Sequence, residues 1–409
     1  MERSLIETFA ISRHYVLAAG GTGGHMIPAH ALAEELMKRG HHVALVTDDR
    51  GARIPGLFER VPVHILPAGR MSGGPIGWLR GLRSIHAGRA MASRMYETFR
   101  PSAVIGFGGY PAFPALLAAH RDGIPTLVHE QNAVLGRVNR LVARKVDAIA
   151  IAYPQVDRLK PKHEGKAHLV GNPVREEVLR LRDQPFPPLT EDGIFRVLVT
   201  GGSQGASILS NVVPDGLALL PEHFRRRLQV TQQCRAEDIE EVRAKYAALG
   251  IPADLATYLP DLPDRLAWSH VVIARAGAST IAELTAAGRP AILIPLPSAT
   301  DNHQVANARE MARAGGARMI LQKHFTPVEL AKQMQKLGLE PEALARAAER
   351  AKALMHEGRR HRHRHDPLHR HRRHRHVRHS RGDAYSRLQG AGLRRRRELC
   401  RRGAARAGH

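Results

Sequence analysis

Two glycine loops, Gly20-Gly21-Thr22-Gly23-Gly24 and Gly201-Gly202-Ser203-Gln204-Gly205, start 181 residues apart, and each follows a short, mostly apolar run. A buried strand that ends in glycines and then enters a helix is the head of a βαβ unit. Glycine permits the sharp turn, and the helix N–H groups are left facing a ligand. After the first loop, Ala29, Leu32, Ala33, Leu36 and Met37 recur at helical spacing up to Gly40, and a strand is expected at 42–47. The alternation continues with a helix near 78–98, a strand at 103–107, a helix after Pro111, a strand at 125–129 and a helix at 134–144. The second half restarts with a strand at 195–200, and others are expected at 227–231, 255–259, 270–274, 290–295 and 317–321. The fold class is therefore α/β, with two Rossmann-like, doubly wound parallel-sheet domains facing a cleft. The expected division is 1–172 and 173–356, with the junction near Gly171-Asn172-Pro173.

Charge has to be located before it is interpreted. The chain carries +24, but from Glu357 to His409 there are 18 Arg against 4 acids, so +14 of it lies there and the body carries +10. Residues 357–409 alternate Arg and His with no apolar period, which predicts a disordered basic tail. A basic body suits a phosphate-rich ligand or an anionic membrane surface. A nucleic-acid partner is not expected, since aromatics are only 4% and offer no stacking platform. Two cysteines, Cys234 and Cys400, exclude a disulfide scaffold and a four-Cys zinc site and suit a reducing compartment. Tyr15 to Ala19 is too short for a secretory signal. Pro101 to Ala119 is free of Lys, Arg, Asp and Glu and near the length of a membrane span. Gly108-Gly109-Tyr110-Pro111 and Pro114 break it, so a strand, a turn and a helix are expected there.

Four places carry chemistry. His25 closes the first glycine loop, where a helix N-terminus disfavours the cationic imidazole. A neutral ring beside a phosphate loop suits a general base, and a merely structural His fits the residue type as well. Ser203 in the second loop suits either a phosphate oxygen or a helix cap. Thr280-x-x-Glu283 reads as a capping box, or Glu283 as a carboxylate for ribose hydroxyls at the sheet edge. Gly108-Gly109-Tyr110 and His129-Glu130-Gln131-Asn132 each follow a buried strand, at the edge where open α/β sheets bind ligands.

Gly20 to His25, His129 to Asn132, Gly171-Asn172-Pro173-Val174-Arg175, Gly201 to Ala206 and Asp301-x-x-Gln304-x-x-Asn307-Ala308 occur in this order. Together, over about 14–355, they closely resemble the MurG family of peptidoglycan GlcNAc transferases, which are GT-B glycosyltransferases. The resemblance implies an inverting transfer of GlcNAc from UDP-GlcNAc to the C4 hydroxyl of MurNAc in lipid I, giving lipid II. It assigns the nucleotide sugar to the second domain and the lipid acceptor to the first. His25 is then the base, Glu283 the ribose ligand, and Ser203 and Arg175 the diphosphate ligands. Thr22, Gly23, Gly24 and Asn132 line the donor-sugar side, with His303 and Gln304 at GlcNAc. Leu259 stands at a backbone contact to uracil, and Ala278, Ser279 and Thr280 belong to the same donor site. Gly108, Gly109, Tyr110, His129 and Glu130 face the acceptor. No cofactor and no metal are expected, since no spaced Asp-x-Asp is present. The family also implies a peripheral place on the cytoplasmic face of the bacterial inner membrane. Ile76, Trp78, Leu79, Leu82 and Ile85 among Arg80, Arg83 and Arg89 suit docking there, or else a core-facing helix with a basic edge. Other cell-wall synthesis and division proteins are further partners the family implies. A fold mate, UDP-GlcNAc 2-epimerase, is the enzyme alternative.

The tail departs from the family, whose members end in an amphipathic helix returning to the first domain. Charge alone suits a polyanion arm, and His suits metal, although alternating Arg repels a cation. The favoured expectation is a frame-shifted end of the coding sequence.

Overall fold

The computed structural model describes residues 12–54, 56–67, 74–202, 205–338 and 340–364. Seven strands form the first sheet: β1 His14–Ala19, β2 His42–Thr47, β3 Val63–Ile65, β4 Ala103–Gly108, β5 Thr126–Glu130, β6 Ala148–Ile151 and β7 Ala167–Leu169. Six form the second: β8 Phe195–Thr200, β9 Leu228–Gln233, β10 Ala253–Ala256, β11 Val271–Ala274, β12 Ala291–Leu293 and β13 Ala317–Met319. Their orders are β3-β2-β1-β4-β5-β6-β7 and β10-β9-β8-β11-β12-β13. Every strand pairing within both sheets is parallel.

Burial on both faces explains why the strands read as continuous apolar runs rather than alternating ones. In β1, Val16 and Ala18 enter one core while Leu17 and Ala19 enter the core on the opposite face. The second sheet repeats this, with Val197 and Val199 on one side and Leu198 on the other. The charge-free window 101–119 resolves into β4 followed by the helix Ala112–Arg121, as expected.

Strand order reverses between β1 and β4 in the first sheet and between β8 and β11 in the second. At such a reversal the connections leave towards opposite faces and open a crevice at the strands' carboxyl ends. The loops beginning at Gly20, Gly109, Gly201 and Arg275 all sit at these two reversals.

Several elements differ from expectation. The helix expected at 134–144 spans only Arg137–Val142, and the strand expected at 255–259 lies at Ala253–Ala256. β3, β6 and β7 were not foreseen. The helix Pro341–Arg364 continues past Glu357, where the regular structure was expected to end. The rest of the expected tail, from residue 365, lies outside the described residues. Leu344 and Ala351 of that helix are buried in the cores flanking the second sheet.

Candidate active site at the meeting of two strand reversals

The glycines after β1 and β4 let two backbones touch. Gly20 N–H donates to Gly108 O at 2.9 Å. A Cβ on Gly109, whose φ is +80°, would lie 2.4 Å from Gly20 Cα, so no side chain fits at this crossing. Gly108 sits beneath the His25 ring, and a Cβ there would meet ring Cε1 at 2.9 Å. Two of the residues expected to face the acceptor therefore act first as spacers, Gly109 for the Gly20 backbone and Gly108 for the imidazole. Tyr110 stands beside them, 37% exposed.

His25 lies in the first turn of the helix Gly23–Lys38. That helix has Thr22 at its N-cap, no side-chain cap and no acidic residue in its first turn. Burial lowers the proton affinity of His25, against the opposing pull of Glu130 and of hydrogen bonds at Gln131 and Phe107; His303 lowers it further. The ring is thus held neutral at physiological pH. His303 belongs to the other lobe, yet it stands close enough for its charge to oppose protonation of His25. The His303 Nδ1–H donates to Thr300 O at 2.7 Å.

His129 and Glu130 differ from the acceptor-facing role expected of them. Both are buried, at 4% and 1% exposure. The His129 Nε2–H donates to Gly171 O at 2.9 Å, and burial pushes the ring down to about 4. Glu130 accepts from Asn132 N–H and its amide, from Gly136 N–H and from the Asn139 amide. A carboxylate filled by four donors organises a loop rather than meeting a substrate.

Asn132 is tied across the lobes. Its Oδ1 accepts from Asn307 Nδ2 at 3.0 Å, while Asn307 Oδ1 accepts from Ala133 N–H at 2.9 Å. Asn307 is fully buried. Asp301 adds a second clasp, pairing with Arg140 and Arg158 of the first lobe at 2.9 Å each. Sequence reasoning recorded Asp301 and Asn307 as motif letters but missed their interlobe roles, and Arg140 and Arg158 carried no local signal. Asp301→Ala removes both ion pairs and should cost about 1–3 kcal/mol; a lowered thermal midpoint in circular dichroism checks this.

On the second lobe, the helix Ala278–Ala287 starts after an N-cap at Gly277 with no side-chain cap. Thr280 is already inside that helix, so the capping-box reading of Thr280 and Glu283 is overturned. Ser279 Oγ is buried with no hydrogen-bond partner among the described residues. Such an atom at an uncapped helix N-terminus is suited to a ligand oxygen. Glu283 is 6% exposed, and its Oε1 accepts from Arg175 Nε at 3.0 Å and Nη2 at 2.6 Å. Burial raises the Glu283 carboxyl, and Arg175 opposes that rise. Gln304 Oε1 accepts from Ala276 N–H and Leu296 N–H, bracing the β11 and β12 loops. The Leu259 side chain is buried in an apolar cluster with Leu198 and Leu266. Ser203 lies outside the described residues; Gly202 beside it donates to Thr200 Oγ1 and accepts from Gln233. No cluster able to hold a metal ion occurs among the described residues.

Two parallel-sheet lobes, each offering its strand reversal to one crevice, define the GT-B fold of glycosyltransferases. Residues 15–151 match the Glycosyltransferase family 28 N-terminal domain and residues 196–362 match the C-terminal domain of that family. The chain belongs to glycosyltransferase family 28. It is 68% identical over 341 residues to a Zymomonas mobilis protein, covering 83% of this chain and 88% of that one. That relative is named UDP-N-acetylglucosamine--N-acetylmuramyl-(pentapeptide) pyrophosphoryl-undecaprenol N-acetylglucosamine transferase. A Novosphingobium aromaticivorans protein of the same name matches at 68% identity with the same coverage. Among solved structures, Acinetobacter baumannii MurG is similar with a TM-score of 0.65 at 28% identity, covering 85% of this chain and 98% of that one.

Proposed function

We propose that the protein transfers GlcNAc, with inversion, from UDP-GlcNAc to the C4 hydroxyl of MurNAc in the undecaprenyl-pyrophosphoryl acceptor lipid I, forming lipid II. The observation that carries this is the 68% identity, over most of both chains, to relatives named for that transfer. The geometry supplies chemistry to match. The acceptor oxygen attacks the anomeric carbon, its proton passes to His25, and UDP departs from the opposite face. Arg175 and the uncapped helix N-terminus at Ala278 offset the diphosphate charge, while Glu283 takes the ribose hydroxyls. The remaining donor assignments, the acceptor side at Gly108, Gly109 and Tyr110, and the division of the chain at 172/173 are part of the same reading.

The test is incubation with UDP-GlcNAc and a short-chain lipid I analogue. Disaccharide product is expected; conversion of UDP-GlcNAc to its 2-epimer without acceptor would favour the fold mate instead.

A peripheral place on the cytoplasmic membrane face belongs to the same proposal. No helix among the described residues is long and apolar enough to cross a membrane. On the helix Gly74–Phe99, Ile76, Trp78, Leu79 and Leu82 are at least half exposed beside exposed Arg80 and Arg83. The exposure of these four residues, with Ile85 half-buried, supports membrane docking over a core-facing reading of that stretch. Trp78→Glu with Leu82→Glu should weaken binding to anionic vesicles by roughly tenfold or more. Vesicle flotation checks it, and UDP affinity should stay unchanged.

A further inference from the structure

We infer that Gln131 is a positioning residue that fixes which nitrogen of His25 takes the proton. The inference rests on the base role of His25 proposed above. It starts at Gly171, whose carbonyl oxygen can only accept. His129 Nε2 lies 2.9 Å from it and therefore carries the ring proton. His129 Nδ1 is then an acceptor, and Gln131 Nε2 lies 3.2 Å away to supply the hydrogen. The same amide nitrogen donates to His129 O at 3.0 Å, which fixes the orientation of the Gln131 amide a second time. Gln131 Oε1 must then face His25, whose Nδ1 is 3.3 Å away. Nδ1 is the donor in that contact, and Nε2 is left as the unprotonated nitrogen.

Gln131 is 1% exposed, and its backbone carbonyl is held by Asn172 Nδ2 at 3.1 Å, so the relay is anchored at both ends. It links the start of the interlobe segment at Gly171 to the reacting edge of the imidazole. When Nε2 accepts the acceptor's hydroxyl proton, the imidazolium keeps its Nδ1–H on an oxygen that welcomes the added charge. The other groups bearing on the ring are Glu130 and the Phe107 carbonyl, which favour its protonation, and His303, which opposes it.

The first readout is independent of turnover. Nitrogen NMR of the full chain should show His25 protonated at Nδ1 and bare at Nε2 at neutral pH, and the opposite tautomer overturns the relay. The second is kinetic. Gln131→Leu should lower kcat roughly tenfold or more, within the about 10²–10⁴-fold that base catalysis contributes. KM for UDP-GlcNAc should hold, and the acid limb of the pH–rate profile should move to lower pH. Gln131→Glu, which keeps an acceptor facing His25 and adds charge, should move that limb to higher pH. An unmoved limb in both variants, with His25→Ala inactive, overturns the relay and spares the base reading. A fully active His25→Ala overturns both.

Discussion

Replacing His25 with alanine lowers kcat for GlcNAc transfer by about 10²–10⁴-fold, the range that a positioned base contributes, while UDP affinity holds. The side chain stands on the first lobe beside Gly108 and Gln131, whereas the groups proposed for UDP, Arg175 and Glu283, stand on the second. Loss of the imidazole removes a proton acceptor without touching a nucleotide contact, so the effect falls on kcat and not on binding. The pH profile gives the sign. Burial holds the His25 pKa below its ordinary value of 6.5, so the free ring is the dominant form at neutral pH. Activity should be flat through neutrality and fall only as pH drops through that depressed value. The alanine variant should lose this acid limb along with its rate. Parallel losses in transfer and UDP affinity, measured by single turnover and calorimetry, would remove His25 from the chemistry.

Much of the frame was legible because its physics is local. β2 and β8 lie on the residues expected, since a parallel strand buried on both faces shows itself as a mostly apolar run without polar alternation. β3 and β7 are three-residue strands at the two edges of their sheet, Val-His-Ile and Ala-His-Leu, too short to carry a period. β6 is only four residues, Ala-Ile-Ala-Ile, and the apolar stretch around it has no glycine punctuation. The end of the helix Pro341–Arg364 escapes detection because its last residues are Arg and His, which carry no apolar stripe.

The site was legible by residue type but not by partner. Glycines, His25 and the polar run at 129–132 announced themselves at strand ends. What the run does depends on contacts more than a hundred residues away, such as Asn307 to Asn132, which no spacing rule reaches. Thr280 and Glu283 show the converse error. Their spacing imitates a cap, yet the helix begins two residues earlier, and Glu283 is turned to Arg175, 108 residues away in sequence.

That pair sets up the second large effect. Arg175→Ala should destabilise the protein towards the lower end of about 3–5 kcal/mol, the cost of leaving a buried charge unpaired. The lower end applies because the Arg175 side chain is 25% exposed and the Glu283 side chain only 8%, so solvent screens one partner. Removing the guanidinium lifts an opposing effect and lets burial raise the Glu283 carboxyl further above its ordinary 4.5. The folded state then holds a proton that the unfolded state has released. Both proteins therefore lose stability as pH rises above 4.5, and the variant falls relative to the parent once the parent's raised carboxyl has ionised and until its own, raised further, ionises as well. Below 4.5 both states are protonated and the difference is smallest. Arg175→Met combined with Glu283→Leu should recover the lost stability, because an apolar pair of similar volume carries no desolvation debt. The same double variant should not recover UDP binding, since neither the diphosphate cation nor the ribose acceptor is restored. Denaturation at several pH values, run beside UDP titrations, separates these outcomes. A double variant as unstable as Arg175→Ala would mean that the pair supports the fold through shape and packing, and that its charges are not what the site retains it for.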